Sequence, residues 1–266
     1  MQTVGYLGPE GSYSHLAAKY MCGRAKLNAY ASFSQVFSSL VSGRTDAIVV
    51  PIENSLNGGV LQNMDLLQST PGVYACGQYT LKIDHRLVTV NGADKNKIKR
   101  IYSHSQALEQ CARYLYENFP SAELIPAPST AASLDMLKTE EDAAIAGSHT
   151  VKAGFTLSDN NIADGDGNFT HFLLVKKGDV PENSRSQRIY FSVTCKNRAG
   201  ALLDLLGCIS RKGLNMTKIE SRPIKNVPDE YRFFVEIDGD YSSEDVKGAI
   251  ENIKHNSNSF KLLGCY

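Results

Sequence analysis

Short polar segments that follow apolar runs carry most of the side chains in this sequence that could do chemistry. Four such segments are Gly8–Ser14, Pro51–Gly59, Ser103–Gln106 and Ser129–Thr130. Their hydroxyl, amide and imidazole groups, together with glycines that permit tight turns, favour a small polar or anionic ligand. A structural turn or a helix cap is the competing explanation for each segment, and in the second the cap would be Asn54 or Ser55.

A fifth segment, Asp164–Phe172, is polar at first and then enters an apolar strand. Thr170 stands beside His171, which suggests a nucleophile and its base. Adjacent residues on a strand point to opposite faces, however, so this pair is a poor catalytic couple. We therefore expect Thr170 to act as a hydrogen-bond donor or weak acid inside a pocket.

Composition and charge exclude several classes of protein. The 28 Lys and Arg residues balance the 28 Asp and Glu residues, which argues against a nucleic-acid partner. The apolar runs are too short to span a bilayer, and the N-terminus lacks a signal sequence. The six cysteines are scattered without a CxxC pair, which favours free thiols over disulfides. With no metal-ligand spacing, the sequence predicts a cytoplasmic protein without a bound metal or a membrane partner.

The order of strand and helix patterns predicts two regions of different architecture. Strands are expected at 3–7, 47–51, 81–90, 98–102, 123–126 and 143–146, and helices at 14–21, 33–41, 106–117 and 130–138. This alternation is typical of an α/β fold with a largely parallel sheet.

After a polar linker, a second set of elements follows. Strands at 188–195, 214–221, 231–238 and 259–264 alternate with helices at 199–211 and from Ser242-x-x-Asp245 to 256. The order βαββαβ is the ferredoxin-like arrangement.

The motifs in these segments resemble those of prephenate dehydratases that carry a C-terminal ACT domain. The motifs are Gly8–Ala18, Val49–Val60, Ser103–Cys111, Ser129–Ala132 and Asn168–Phe172, followed by Gly200–Leu202 and Glu220–Pro223. Because the first motif begins so near Val4, the chain resembles the monofunctional form.

The resemblance also implies a domain organisation. It gives a catalytic domain at 1–178 with two lobes like those of type II periplasmic binding proteins, one of about 1–80 plus 160–178 and one of about 81–159. A linker at 179–187 and an ACT regulatory domain at 188–266 follow.

The function implied by the resemblance is a hydro-lyase reaction in L-phenylalanine biosynthesis. Prephenate would lose water and carbon dioxide to give phenylpyruvate, without a cofactor, and Thr170 would be the catalytic proton donor or orienting group. The positions that match the substrate cleft are Ser12, Asn54, Ser55, His104, Gln106, Ser129, Thr130, Asn168, His171 and Phe172.

His171 departs from the family pattern, which has Arg at this position. Arg binds a carboxylate through a bidentate fork, whereas His is only partly charged near neutrality. We expect His171 to keep a positional role and another cation, such as Arg86, to assist the substrate. A less cationic pocket also leaves open arogenate, which has an ammonium in place of the keto group of prephenate.

The C-terminal motifs imply that L-phenylalanine is an allosteric effector, expected to inhibit, with activation left open. The matching positions are Gly200, Ala201, Leu202, Asn215, Glu220 and Ser221. ACT domains usually pair side by side, which implies a homodimer or a homotetramer formed as a dimer of dimers. The competing explanation is that Ala201, Leu202 and Leu205 are core residues. A non-catalytic amino-acid-binding regulator is the alternative function from another class.

Overall fold

The computed structural model describes residues 1–150, 153–165, 167–182, 184–224, 227 and 229–266. Two compact units divide the chain between them. The first consists of Met1–Val36, Val49–Gly58 and Tyr79–Phe172, and the second of Phe37–Ile48, Gly59–Gln78 and Leu173–Tyr266. No helix among these described residues is long and apolar enough to cross a membrane.

The strands and helices are numbered here in chain order. The strands are β1 (Thr3–Leu7), β2 (Lys26–Tyr30), β3 (Ala47–Asn54), β4 (Gly58–Gly59), β5 (Val73–Lys82), β6 (Arg86–Val90), β7 (Arg100–Ser103), β8 (Glu123–Pro126), β9 (Asp142–Ala146), β10 (Phe155–Leu157), β11 (Phe169–Lys177), β12 (Arg188–Cys195), β13 (Met216–Pro223), β14 (Tyr231–Asp238) and β15 (Ser257–Cys265). The helices are α1 (Tyr13–Cys22), α2 (Phe33–Val41), α3 (Leu61–Ser69), α4 (Ser105–Gln110), α5 (Ala112–Asn118), α6 (Ala201–Ser210) and α7 (Glu244–Asn256). Short 3-10 turns cover Lys95–Lys97, Ala132–Met136 and Ser148–Thr150.

The first unit contains a five-stranded sheet in the order β10-β6-β9-β7-β8. Strand β7 is parallel to β8 and β9, whereas β6 is antiparallel to β9 and β10. The expected largely parallel sheet is therefore wrong for this part of the chain, because β6 runs against the parallel set β9-β7-β8 and pairs antiparallel with both β9 and β10, as α/β folds allow. Leu87, Ile101, Leu115 and Ile145 form its apolar core.

The second unit contains the predicted ferredoxin-like arrangement. Strands β12 and β14 pair antiparallel, and β13 and β15 flank them, also antiparallel. Strand β12 is buried from 189 to 194, and its alternate residues Ile189, Phe191 and Val193 pack in one core with Leu205 of α6 and Ile250 of α7. This alternation is what places one face of the sheet against two amphipathic helices.

Several predicted boundaries differ from the structure. The single strand at 81–90 is the end of β5 followed by β6, and the helix at 106–117 is broken at Cys111 into α4 and α5. The break is stabilised by Asp164, whose carboxylate accepts the N–H groups of Arg113 (2.8 Å) and Tyr114 (3.1 Å) at the start of α5.

The type of one predicted element and the cap of another were wrong, and several elements were not predicted. The helix at 130–138 is only a 3-10 turn, and Ser243 rather than Ser242 caps α7, because the Val246 N–H donates to its hydroxyl. The elements β2, β4, α3 and β10 were not predicted.

Candidate functional site

Asn54 ends strand β3 and connects it to the beginning of β11. Its Oδ1 accepts the backbone N–H groups of Leu56 and Asn57, each at 3.2 Å, which closes a turn. Because backbone N–H groups only donate, this contact fixes the amide orientation and directs Nδ2 the other way. The predicted alternative of a helix cap at Asn54 or Ser55 is wrong, since the chain continues into this turn and then β4.

The Nδ2 group of Asn54 reaches three oxygens at the start of β11. It lies 2.8 Å from Asn168 Oδ1, 3.0 Å from Thr170 Oγ1 and 3.1 Å from the Phe169 carbonyl. Ser55 reinforces the junction, because its N–H donates to the Phe169 carbonyl and its hydroxyl accepts the Phe169 N–H at 2.9 Å. The structure thus brings together four predicted site residues, Asn54, Ser55, Asn168 and Thr170.

Thr170 is 9% exposed, and its hydroxyl accepts a hydrogen bond from Asn54. Within the part of the chain that the structure describes, its own hydrogen has no acceptor. A hydroxyl that is held as an acceptor and keeps its hydrogen free can donate to a ligand. Phe172, two residues on and therefore on the same face, is 1% exposed and supports the strand from the core.

His171 lies on the opposite face of β11 from Thr170. Its Nδ1 is 2.8 Å from the Thr80 hydroxyl, outside the contacts around Asn54. Arg86 does not supply the expected replacement cation. Its Nε lies 2.9 Å from each carboxylate oxygen of Asp84, and its Nη1 donates to the carbonyls of Ser158 and Asp159. The charge of Arg86 is therefore neutralised within the protein.

Ser12 caps α1, so the competing explanation of a helix cap holds for this side chain. Its hydroxyl accepts the His15 N–H at 3.2 Å and donates to the Leu7 carbonyl at 3.1 Å. The neighbouring Gly11 N–H donates to His15 Nδ1 at 2.9 Å, and the Gly11 carbonyl lies 3.0 Å from His149 Nε2. Burial lowers the pKa of both His15 and His149, so both imidazoles are neutral near pH 7. A pocket of about 470 Å³ is lined by this loop, α1 and His149.

Of the remaining predicted substrate residues, His104 and Ser129 act as caps. His104 Nδ1 accepts the Gln106 N–H at the start of α4, and Ser129 Oγ accepts the Ala132 N–H at 3.0 Å. The Thr130 carbonyl accepts a hydrogen bond from the Ser133 hydroxyl. Among the described residues, none of these side chains bonds to the group around Thr170.

Gln110 and His85 join that group and were missed by the sequence analysis. Gln110 Oε1 accepts from Asn168 Nδ2 at 2.9 Å and lies 2.8 Å from His85 Nε2. Gln110 is one helical turn beyond Gln106, and this spacing places both on one helix face. That spacing was the available signal for Gln110, whereas His85 offered only its position next to an apolar strand.

The predicted effector residues lie at separate places on the ferredoxin-like region. Gly200 adopts φ = 78° immediately before α6, a conformation that glycine takes without strain, and Ala201 and Leu202 begin that helix. Asn215 donates to the Asp238 carboxylate at 2.8 Å. Glu220 and Ser221 lie five to six residues further along β13, or about 17–20 Å away at the rise of a strand.

The fold and the site together define an α/β region with a buried hydroxyl that can donate to a ligand, joined in the chain to a ferredoxin-like region. No group of three His, Cys, Asp or Glu side chains within the described residues could hold a metal ion. The family model described as prephenate dehydratase matches residues 4–180, and the ACT domain model matches residues 189–255. The chain therefore belongs to the prephenate dehydratase family, whose activity is that of a hydro-lyase.

Relatives and solved structures agree with this assignment. The bifunctional chorismate mutase/prephenate dehydratase of Neisseria gonorrhoeae is 34% identical over 99% of this chain and 74% of its own length. A prephenate dehydratase from Staphylococcus aureus superposes with a TM-score of 0.86 at 29% identity, with all of both chains covered. A prephenate dehydratase from Arthrobacter aurescens, solved in complex with L-Phe, gives a TM-score of 0.89 at 28% identity, covering 99% of this chain and 89% of that one. The predicted fold class is confirmed.

Proposed function

We propose that this protein converts prephenate to phenylpyruvate in the cytoplasm, in L-phenylalanine biosynthesis, with Thr170 as the donor to the leaving hydroxyl. One observation carries the role of Thr170. Its hydroxyl accepts from Asn54 Nδ2 at 3.0 Å, so that its hydrogen is available to a bound molecule. Family membership supplies the reaction, and the donor geometry supports this residue.

The reaction breaks two bonds and makes an aromatic ring. The C–C bond to the ring carboxylate breaks, carbon dioxide leaves, and the electron pair enters the ring while the C–O bond opposite breaks. The departing oxygen takes a proton and leaves as water, so one proton is consumed overall. A donor aimed at that oxygen stabilises the charge that develops there, and general acid assistance contributes about 10²–10⁴-fold.

The test is a pair of substitutions at Thr170. Thr170→Val keeps the shape but removes the hydroxyl, and we expect kcat for phenylpyruvate formation to fall by about 10²–10⁴-fold. Its effect on stability should be only about 0.5–1.5 kcal/mol, since Asn54 Nδ2 retains two other acceptors.

Thr170→Ser is the matched control, because it keeps the hydroxyl and should retain most of the activity. Equal kcat values for the Val variant and the unmodified protein would refute the role of Thr170. Absence of turnover on prephenate, followed by turnover on arogenate, would assign the second substrate.

We further propose that L-phenylalanine binds the ferredoxin-like region and inhibits the enzyme, which would assemble as a homodimer or a dimer of dimers. Contacts within the second unit support a route for the signal. Arg222, which follows Glu220 and Ser221, pairs with Asp65 on α3 at 2.7 Å. Helix α3 begins at Leu61, shortly after the turn made by Asn54.

This regulatory proposal has its own measurements. Calorimetric titration with L-phenylalanine should show binding that Gly200→Val weakens, because a branched side chain is strained at the positive φ of Gly200. Light scattering gives the assembly. A protein that binds no L-phenylalanine would refute the regulatory half while leaving the enzymatic half intact.

A further inference from the structure

The side-chain amides next to Thr170 form a series whose direction is set at one end. Because Asn54 Oδ1 accepts two backbone N–H groups, Asn54 Nδ2 must face Asn168 Oδ1. Asn168 Nδ2 therefore faces Gln110, and Gln110 Oε1 accepts its hydrogen bond at 2.9 Å. Each amide in the series has only one orientation in which donors meet acceptors.

His85 stands at the far end of this series. Its Nε2 lies 2.8 Å from the same Gln110 Oε1. An amide oxygen cannot donate, so Nε2 must carry a hydrogen, and Gln110 Oε1 accepts from both His85 and Asn168. The direction fixed by the turn at Asn54 thus determines the tautomer of a histidine on another segment of the chain.

The surroundings of His85 favour the same tautomer independently. The residue is 3% exposed, and its Nδ1 has no hydrogen-bond partner among the residues that the structure describes. The opposite tautomer would leave a buried N–H unpaired at Nδ1 and would set the Nε2 lone pair against Gln110 Oε1. Its backbone is held as well, since the His85 N–H donates to Asn161 Oδ1 at 2.9 Å and its carbonyl accepts the Ile162 N–H at 2.8 Å.

We propose that His85, as the neutral Nε2–H tautomer, is a positioning residue for Thr170. It acts through Gln110, Asn168 and Asn54, and the proposal rests on the dehydratase function proposed above. Without the His85 donor, the Gln110 amide can rotate, Asn168 can follow, and Asn54 Nδ2 loses the nearest of its three acceptors. The Thr170 hydroxyl then samples orientations that do not face the leaving group.

Two substitutions of similar size separate the two ring nitrogens. In His85→Gln the side-chain amide nitrogen can occupy the place of Nε2 and donate to Gln110, whereas in His85→Asn the amide reaches only the place of Nδ1. We expect H85Q to keep kcat within about threefold and H85N to lower kcat by about 10–100-fold with little change in KM, because misplacing a reacting group costs about that much.

Combining His85→Asn with Thr170→Val distinguishes a positioning role for His85 from a purely structural one. The double variant H85N/T170V should be no slower than T170V alone, because both changes remove the same interaction. Additive losses, or equal kcat in H85N and the unmodified enzyme, would overturn the positioning role. Absence of prephenate turnover in the unmodified protein would overturn the proposed function and the positioning role together.

The tautomer is tested without any activity measurement. In protein labelled with ¹⁵N-histidine, long-range ¹H–¹⁵N correlation spectra of the His85 ring, assigned by its loss in H85Q, should show a protonated Nε2 and a bare Nδ1. A protonated Nδ1 would overturn the proposal even if H85N were slow.

Discussion

Replacing Asn54 by Asp tests whether one amide nitrogen organises the site. The substitution keeps an oxygen for the N–H groups of Leu56 and Asn57 but replaces the donor that serves Asn168, Phe169 and Thr170. In Asn54→Asp a carboxylate oxygen would face two other acceptor oxygens at about hydrogen-bond distance. The turn should therefore survive, while the contact with β11 should be lost.

The magnitude follows from the number of hydrogen bonds. The two hydrogens of Asn54 Nδ2 serve three oxygens at 2.8, 3.0 and 3.1 Å. Losing two net hydrogen bonds and leaving acceptors unpaired amounts to about 2–4 kcal/mol of unfolding free energy. At about 2–4 °C per kcal/mol for a chain of this size, Tm should fall by roughly 5–15 °C. We also expect kcat to fall, because Thr170 loses its donor.

The assay is thermal and urea unfolding of the variant beside Asn57→Asp. Asn57 lies exposed in the same turn, and its substitution makes the same change of charge. We expect it to alter the unfolding free energy by less than about 0.5 kcal/mol. Facing acceptor oxygens raises the pKa of the introduced carboxyl, and the protonated form can donate. The deficit of N54D should therefore shrink as the pH falls from 8 to 5.5. Equal losses in the two variants, at every pH, would refute the reasoning.

Three further predictions concern pH and the second unit. Burial lowers the pKa of His85, His149 and His15 below the usual value of about 6.5, so the unfolded chain binds more protons than the folded one below that pH. The urea concentration at the unfolding midpoint should therefore decrease as the pH is lowered from 7.0 to 5.5, and a constant midpoint would contradict this. Lys261 caps the end of α3, because it donates to the carbonyls of Leu67, Gln68 and Thr70 at 2.9, 2.7 and 2.8 Å. Lys261→Met should therefore lower the unfolding free energy in urea by roughly 2–3 kcal/mol, and Lys254→Met, at an exposed position, by less than about 0.5 kcal/mol. Similar losses in the two variants would exclude the capping role of Lys261. A double-mutant cycle with Arg222→Met and Asp65→Asn should give a coupling free energy of only about 0.5–1 kcal/mol, since both side chains are partly exposed to solvent. A coupling above about 2 kcal/mol would show that solvent screens this ion pair less than expected.

Elements with a strong local signal were predicted from the sequence. The bounds of β1, α2, β12 and β14 match the structure, because their apolar spacing follows the period of the element. The helix break at Cys111 had no such signal. It depends on the carboxylate of Asp164, which lies far along the chain and supplies acceptors for the first N–H groups of α5.

The site divides in the same way. Asn54, Ser55, Asn168 and Thr170 stood in motifs, and the structure brings them into contact. Their roles toward a substrate stay predictions. Gln110 had only its spacing from Gln106 as a signal, and the contact of His85 with it had none, because that contact joins segments distant in sequence. Arg86 was misjudged for the opposite reason, since its charge is satisfied by Asp84, two residues away.

The contacts of α3 with the C-terminal strands have a consequence for synthesis. Lys261 donates hydrogen bonds to carbonyls at the end of α3, which precede it by 191–194 residues. Gly264 lies so close to Ala75 that a Cβ added to Gly264 would be 2.5 Å from the Ala75 carbonyl oxygen. A nascent chain emerges from the ribosome in order, so α3 is exposed long before these partners exist. The second unit must therefore complete its folding after the last strand has been made. A gene fragment that ends near residue 180 would encode α3 without the C-terminal strand that contacts it. We therefore expect the catalytic and regulatory regions to be retained together in one gene.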